Sequence, residues 1–166
     1  MHPNRSPDWI PHSRPTLTDA DASAVADAVA SGYVGSGSRV GLFESQVAKR
    51  LGREHARATT TGSAALHLAL LACGVKPGDA VLLPAFVCRA VLNVVLACGA
   101  RPVLVDIDPT TLCITVETAR RAMTSAKVRA GSVLILVHSF GVAIDVRAFE
   151  ALGLVIVEDA ASSFGA

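Results

Sequence analysis

From residue 56 to its end, the sequence alternates short apolar runs with longer segments that have helical periodicity. The apolar runs lack the alternation of apolar and polar residues that is typical of a strand with one face in water. Strands that helices cover on both faces have this uninterrupted apolar pattern. The sequence therefore predicts an α/β fold, a three-layer sandwich with a mostly parallel sheet and right-handed crossovers.

The element boundaries follow from turn residues and helix caps. Strands are predicted at residues 56–59, where the pattern is weak, and at 80–83, 102–107, 133–138 and 154–158. Helices are predicted between them at 63–73, 86–98, 116–124 and 146–152. Before residue 56 we expect two amphipathic helices, one capped by Thr18 and Asp21 and one over 40–51, joined by a glycine-rich loop at 33–41. The chain thus divides into an N-terminal helical segment, 1–55, and an α/β segment, 56–166.

Composition excludes several classes of protein. Hydrophobic residues make up 51% of the chain and charged residues 17%, which is too apolar for a disordered protein. The net charge is +1 and no run of like charges occurs, so we expect neither nucleic acid nor an anionic membrane as partner. The N-terminus has no apolar signal region, and Pro84, Arg89 and Asn93 interrupt the most apolar stretch. We therefore expect a cytoplasmic protein.

The four cysteines, Cys73, Cys88, Cys98 and Cys113, form no C-x-x-C pair. No histidine lies at zinc-finger spacing from them. We interpret them as reduced and mostly buried in the core, and we expect no metal site.

Polar residues follow several predicted strands, and ligands of open α/β sheets bind beyond the carboxyl ends of the strands. Gly62 and Ser63 open a helix of small residues, where free backbone N–H groups and the helix dipole can hold a phosphate. The alternative is a simple Ser/Thr cap on a buried helix.

Two carboxylates and a histidine end other strands. Strand alternation sends the side chains of Glu158 and Asp159 to opposite sides. A buried carboxylate needs a cation or hydrogen-bond donors, so one of them either meets a cationic ligand or caps the next turn. His138 either contacts a ligand, by stacking or hydrogen bonding, or is a structural residue with its hydrogen bonds satisfied.

Taken in order, these motifs resemble the DegT/StrS family of sugar aminotransferases, which are pyridoxal-phosphate enzymes of the aspartate aminotransferase fold. The matching residues are 33–37 with 43–44, 61–70, 78–79 with 84, 99–103 with 106–108, 137–138 with 141, and 158–161 with 165–166. The glycine-rich run at 35–41 does not fit the dinucleotide-binding fingerprint, because it follows a helix rather than a strand.

The resemblance implies that residues 56–166 are a partial cofactor-binding domain, the truncated large domain of a fold-type I pyridoxal-phosphate enzyme. It also implies that Gly62, Ser63 and Ala64 cradle the cofactor phosphate and that Asp159 pairs with the pyridine nitrogen, while Glu158 is structural. The other cofactor-binding positions would be His138, Cys88, where the family often has an aromatic residue, and Ser162, where it usually has Gln or His.

The resemblance further implies transfer of an amino group from an amino-acid donor to a keto-sugar nucleotide, in nucleotide-sugar and polysaccharide biosynthesis, by a homodimer when full length. Related members dehydrate or deoxygenate instead. The family's Schiff-base lysine lies downstream of the aspartate motif, beyond Ala166, and Lys49, Lys76 and Lys127 are predicted on helix surfaces or in a turn. We therefore expect a fragment with no catalytic lysine, inactive alone. The alternatives are a non-catalytic remnant or binding subunit of the same fold, and an unrelated α/β nucleotide-binding domain.

Overall fold

The computed structural model describes residue 10 and residues 14–165. The expectation that the N-terminus has no apolar signal region concerns residues 1–9 and 11–13, which lie outside the described residues. Residue 166, the last of the matched motif, also lies outside them. The chain consists of two compact units, the first ending at Ala58 and the second beginning at Thr59. Within the described ranges, no helix is long and apolar enough to cross a membrane.

The first unit contains helices α1 (Asp19–Ala30) and α2 (Ser38–Arg50). The cap predicted for α1 is confirmed, since the backbone N–H and the hydroxyl of Thr18 both donate to the Asp21 carboxylate at 2.7 Å. The prediction of a loop at 33–41 is wrong for residues 38–41, which belong to α2. Helix α2 begins at Ser38, and the backbone N–H of Gly41 donates to the carbonyl of Gly37 at 3.1 Å, so this glycine is helical despite its low propensity.

No strand forms at residues 56–59, so this weak strand prediction is wrong. The backbone N–H of Ala58 donates to the Glu44 carboxylate at 2.9 Å, and the Arg57 guanidinium donates to the same carboxylate at 3.1 Å. A side chain of α2 thus satisfies a backbone donor that a strand would have paired with a neighbouring strand.

The second unit is built around four parallel strands, β1 (Ala80–Pro84), β2 (Arg101–Val105), β3 (Val133–Val137) and β4 (Val155–Asp159), in the order β2-β1-β3-β4. The α-helices are α3 (Gly62–Ala72), α4 (Arg89–Ala97) and α5 (Val116–Ser125), and two 3-10 segments follow at Ser139–Gly141 and Val146–Leu152. The predicted α/β class and parallel sheet are confirmed. The helix predicted from residue 86 begins at Arg89, and the helix predicted at 146–152 is 3-10.

Side chains from the two faces of the sheet build two separate hydrophobic clusters. One face packs Val81, Leu83 and Ile135 against α3 and α4. The other face packs Leu82 and Leu134 against α5 and the second 3-10 segment. The order helix, sheet, helix confirms the predicted three-layer sandwich.

The turn after β2 is closed by the carboxylate of Asp108. Its Oδ1 accepts hydrogen bonds from the backbone N–H groups of Thr110 and Thr111 at 2.9 Å each, and from the Thr111 hydroxyl at 3.2 Å. Hydrogen bonding, led by the Thr111 backbone N–H, lowers the pKa of Asp108. Asp108 therefore has a local structural role in this turn.

The cysteines divide into two classes. Cys98 and Cys113 are buried, whereas Cys73 and Cys88 are exposed, so the prediction that the cysteines lie mostly in the core is wrong for two of the four. Cys73 follows the last residue of α3 and Cys88 precedes the first residue of α4, where helix ends reach solvent. Burial raises the pKa of the Cys98 thiol.

Candidate cofactor site

The site lies beyond the carboxyl ends of β1, β3 and β4, beside the point between β1 and β3 where the strand order reverses. Two adjoining cavities open there. A cavity of ≈ 550 Å³, called here the helix-end cavity, is lined by the start of α3 and the end of β4. A cavity of ≈ 450 Å³, called the aromatic cavity, is lined by the segments that follow β1 and β3. Cys88, Val91, Asp159 and Ala161 border both cavities.

The start of α3 presents free hydrogen-bond donors to the helix-end cavity. Thr61 is the N-cap, and its Oγ1 accepts the backbone N–H of Ala64 at 3.0 Å. The backbone N–H groups of Gly62 and Ser63 and the Ser63 hydroxyl have no partner among the described residues. No acidic residue lies in the first turn of α3, so the positive end of the helix dipole is not compensated locally. This arrangement suits an anion.

Ala64 differs from its two neighbours. Because its N–H is donated to Thr61, it is not free to bind an anion. The cap and the candidate anion site are therefore separate features of one turn: Thr61 supplies the cap, and Gly62 with Ser63 supplies the free donors. Only two of the three residues expected to cradle a phosphate offer a free backbone N–H.

Asp159 uses one carboxylate oxygen within the chain and leaves the other free. Its Oδ1 accepts the backbone N–H of Ala161 at 3.1 Å. Its Oδ2 has no hydrogen-bond partner in the part of the chain that the structure describes. The capping interpretation of this carboxylate is therefore confirmed for one oxygen, while contact of the other with a cationic ligand stays a prediction; Asp159 borders both cavities.

His138 is buried, and both of its ring nitrogens are engaged within the chain. Nδ1 accepts the backbone N–H of Ile144 at 3.0 Å, and Nε2 lies 3.2 Å from Oε2 of Glu158. This matches the structural interpretation of His138. His138 borders the aromatic cavity, but its ring has no free nitrogen to offer a ligand.

The remaining expected positions, Cys88 and Ser162, are exposed and border the cavities. Cys88 lines both cavities, and Ser162 lines the aromatic cavity. All the residues expected to bind the cofactor, except Ala64, line one or both of these cavities. They are Gly62, Ser63, Cys88, His138, Asp159 and Ser162.

Sequence reasoning missed Phe140 as part of the site. Its ring centroid lies 6.3 Å from that of Phe86, with the ring planes tilted by 31°, and both rings line the aromatic cavity. Phe140 has a φ of 54°, which is unusual for a residue with a side chain. The only sequence signal is the Phe-Gly pair after a strand, which is too common to assign a role.

None of the three lysines of the chain lines either cavity. Lys49 belongs to α2 in the first unit, and Lys76 precedes β1. Lys127 lines a different cavity, formed by residues at the amino ends of the strands. The two cavities therefore provide free N–H donors and a carboxylate, but no lysine amine from the described residues.

Comparison with known proteins relates this chain to a family. The model of the DegT/DnrJ/EryC1/StrS aminotransferase family matches residues 15–166. One similar structure is a DegT DnrJ EryC1 StrS aminotransferase from Brucella abortus, with 35% identity over 87% of this chain and 40% of that chain and a TM-score of 0.78.

Two further structures are alike in fold. An aminotransferase from Psychrobacter cryohalolentis has 29% identity over 93% of this chain and 40% of that chain, with a TM-score of 0.81. A Streptococcus pneumoniae protein described as a sugar aminotransferase, in its PLP-form, has 28% identity over 94% of this chain and 44% of that chain, with a TM-score of 0.82. The chain thus matches 40% to 44% of the length of these three proteins.

Proposed function

Because the chain belongs to the DegT/DnrJ/EryC1/StrS aminotransferase family, whose cofactor is pyridoxal phosphate, we propose that its second unit holds that cofactor for amino transfer to a keto-sugar nucleotide. The observation that carries the proposal is that one cavity is bordered both by Gly62 and Ser63, whose backbone N–H groups are free, and by Asp159, whose Oδ2 is free. The family match also excludes the third hypothesis, an unrelated α/β nucleotide-binding domain.

The residues present fit the two charged ends of the cofactor. The N–H groups of Gly62 and Ser63 and the Ser63 hydroxyl would hold the phosphate, because they are free donors at a helix N-terminus. A cavity of ≈ 550 Å³ lies within the usual range for small-molecule sites.

Asp159 would hold a proton at the far end of the ring. Its free Oδ2 would accept a hydrogen bond from the protonated pyridine nitrogen, while Oδ1 stays on Ala161 and fixes the carboxylate plane. When bound, the protonated ring withdraws electrons from the reacting carbon of the substrate. The carboxylate favours the protonated ring because opposite charges stabilise each other in a partly buried site.

The amine that moves the proton in amino transfer would have to come from outside these residues, since no lysine of the chain lines the cavities. We therefore propose that the chain of 166 residues binds the cofactor non-covalently and does not transaminate alone. The second candidate function is a non-catalytic binding subunit of the same fold, which would hold the cofactor without such an amine.

The finer assignments rest on the resemblance and on family membership. They comprise a keto-sugar nucleotide and an amino-acid donor as substrates, a role in polysaccharide biosynthesis, a homodimer in the full-length enzyme and a cytoplasmic location. The division at residues 55 and 56 into a helical segment and a cofactor-binding domain is likewise a proposal, and its boundary rests on the change of residue pattern at residue 56.

A binding titration tests the proposal. Deoxypyridoxine phosphate carries the ring nitrogen and the phosphate of the cofactor but no aldehyde, so it cannot react with surface lysines. We expect saturable binding that inorganic phosphate competes away, weakened by Ser63→Ala and unchanged by the matched control Ser125→Ala at the end of α5. Equal affinity of both variants would contradict the assignment of the phosphate site.

A turnover assay separates the two candidate functions. The 166-residue chain, given pyridoxal phosphate, glutamate and a keto-sugar nucleotide, is expected to show no amino transfer. A longer protein that contains this sequence is expected to transfer the amino group if the first function is right, whereas a binding subunit would not. Turnover by the 166-residue chain itself would contradict the proposal that it lacks the required amine.

A further inference from the structure

Glu158 and His138 connect the ends of two neighbouring strands. Glu158 lies on β4, in register with Leu136 of β3, and His138 follows β3 directly. The His138 side chain is 7% exposed and the Glu158 side chain 41% exposed, and Nε2 lies 3.2 Å from Oε2. The contact therefore joins a buried ring to a carboxylate that reaches solvent.

The second nitrogen of the ring decides the nature of this contact. The backbone N–H of Ile144 can only donate, so Nδ1 of His138 accepts and carries no proton. The proton of the neutral ring is then on Nε2 and is donated to Glu158. In a protonated ring, Nδ1 would also carry a hydrogen, and two donors, Nδ1–H and the Ile144 N–H, would face each other. The contact between His138 and Glu158 is therefore a hydrogen bond from a neutral imidazole rather than an ion pair.

The bond to Ile144 closes a segment, residues 139–144, that carries an unusual backbone. Phe140 has a φ of 54° and Gly141 a φ of 83°. A side chain in the left-handed region costs about 1–2 kcal/mol, so contacts elsewhere must hold this segment in place. A Cβ on Gly141 would lie 3.3 Å from the carbonyl oxygen of Ser162, so the segment also packs closely on the chain after β4.

The same segment forms a wall of the aromatic cavity. It places the ring of Phe140 6.3 Å from that of Phe86, on the border of a cavity that Asp159 also lines. The flat faces of such rings favour stacking with a heteroaromatic ring. The shape of the wall thus depends on the segment that His138 closes.

We propose that Glu158 is a positioning residue for the cofactor ring, because it orients the His138 tautomer that closes residues 139–144 and so keeps Phe140 against Phe86 beside Asp159. This inference rests on the proposed function. It assigns Glu158, which also borders the helix-end cavity, a role that acts through two other residues. The chain then uses the two consecutive carboxylates differently: Asp159 acts on the ring and Glu158 on the wall around it.

A pair of variants tests the proposal on the 166-residue chain. Glu158→Gln keeps an oxygen that accepts the Nε2 proton, whereas Glu158→Leu removes the acceptor. In the leucine variant we expect the Ile144 amide to exchange faster with solvent and the nitrogen NMR signals of His138 to show loss of the single tautomer. The glutamine variant is expected to retain both properties, and the β3 amides should stay protected in both variants.

Binding of deoxypyridoxine phosphate gives the functional readout. Loss of one hydrogen bond predicts a dissociation constant about 2- to 12-fold higher for Glu158→Leu, with near-normal binding by Glu158→Gln. If the leucine variant does not fold, Phe140→Ala takes its place, because that side chain is 73% exposed and its removal leaves the core intact. We expect Phe140→Ala to weaken binding to a similar extent.

The outcomes separate this inference from the proposed function. A faster Ile144 amide in Glu158→Leu with unchanged ligand affinity would overturn the positioning role while leaving the cofactor site intact. An unchanged tautomer and unchanged exchange would overturn it as well. Absence of ligand binding by the unmodified chain would instead contradict the proposed function, and the tautomer and exchange data would still test how Glu158 holds residues 139–144.

Discussion

Replacement of Asp159 by Asn isolates the charge that we assign to the pyridine nitrogen. Asn keeps an oxygen at the position of Oδ1, so the hydrogen bond from the Ala161 N–H at 3.1 Å can persist and the turn after β4 can keep its shape. What changes is the second oxygen, which loses its negative charge and becomes an amide nitrogen. The substitution therefore tests the electrostatic pairing with little effect on the local fold.

The expected magnitude follows from the partners and the burial of this residue. Hydrogen bonds to charged groups contribute about 1.5–3 kcal/mol. Asp159 is only half-buried, so we take the lower part of that range, about 1.5–2 kcal/mol. The dissociation constant of deoxypyridoxine phosphate should then rise roughly 12- to 30-fold in Asp159→Asn.

Isothermal titration calorimetry of the chain and the variant measures this ratio. A second ligand, the benzene analogue that lacks the ring nitrogen, completes a double-mutant cycle. The unmodified chain should bind the analogue more weakly by a similar factor, and the Asn variant should bind the two ligands about equally. Asp145→Asn serves as the matched control, with near-normal affinity for both ligands, because Asp145 also accepts a backbone N–H two residues further on and borders neither cavity.

Two results would refute this reasoning. One is an Asn variant that loses affinity equally for both ligands, since the loss could not then come from the ring nitrogen. The other is an Asn variant with unchanged affinity and an unchanged unfolding midpoint, which would show that Oδ2 does not meet the ring.

Further predictions concern thiols, acid stability and the core. Saturating deoxypyridoxine phosphate should slow alkylation of the Cys88 thiol, because Cys88 borders both cavities, but not of the Cys73 thiol, which is exposed at the end of α3. Mass spectrometry after timed alkylation measures both rates. A Cys88 rate that is the same with and without ligand would contradict the placement of the ligand in these cavities. Because the pKa of Asp108 is lowered in the folded chain, the stabilisation that its carboxylate contributes is complete above its ordinary pKa of about 3.9 and is lost as pH falls through the lowered value. The free energy of unfolding in urea should therefore fall less steeply at acid pH in Asp108→Asn than in the unmodified chain. An equally steep fall would contradict this role of Asp108. Leu134→Ala should lower the free energy of unfolding by about 2–5 kcal/mol, and Leu104→Ala, 57% exposed in the same sheet, by about 0.5 kcal/mol or less; similar losses would contradict the packing.

The sequence predicts the layers of the fold well, because parallel strands covered on both faces leave a strong local pattern. Residues 133–137 are apolar throughout, and the structure sends Leu134 and Ile135 to opposite faces of one sheet. The failure at residues 56–59 has a different cause: whether an extended run joins a sheet depends on a distant acceptor, here Glu44. Local propensity does not contain that information.

For the site, the sequence predicts which residues lie close together but not the details of their hydrogen bonds. Glycine, serine and carboxylate positions at strand ends point to the cavities, because the sheet brings strand ends together. The capping of Ala64 by Thr61 and the tautomer of His138 depend on side-chain geometry within a turn and across a loop. Phe140 reaches the aromatic cavity through a left-handed backbone conformation. Among residue types only glycine commonly indicates that conformation in a sequence, so a phenylalanine gives no signal of it.

A structure of the chain bound to deoxypyridoxine phosphate tests the central claim most directly. We expect the phosphate within hydrogen-bond distance of the backbone N–H groups of Gly62 and Ser63, and the ring nitrogen facing Oδ2 of Asp159. A ligand bound instead in the cavity at the amino ends of the strands, beside Lys127, or with its phosphate away from the start of α3, would contradict the account.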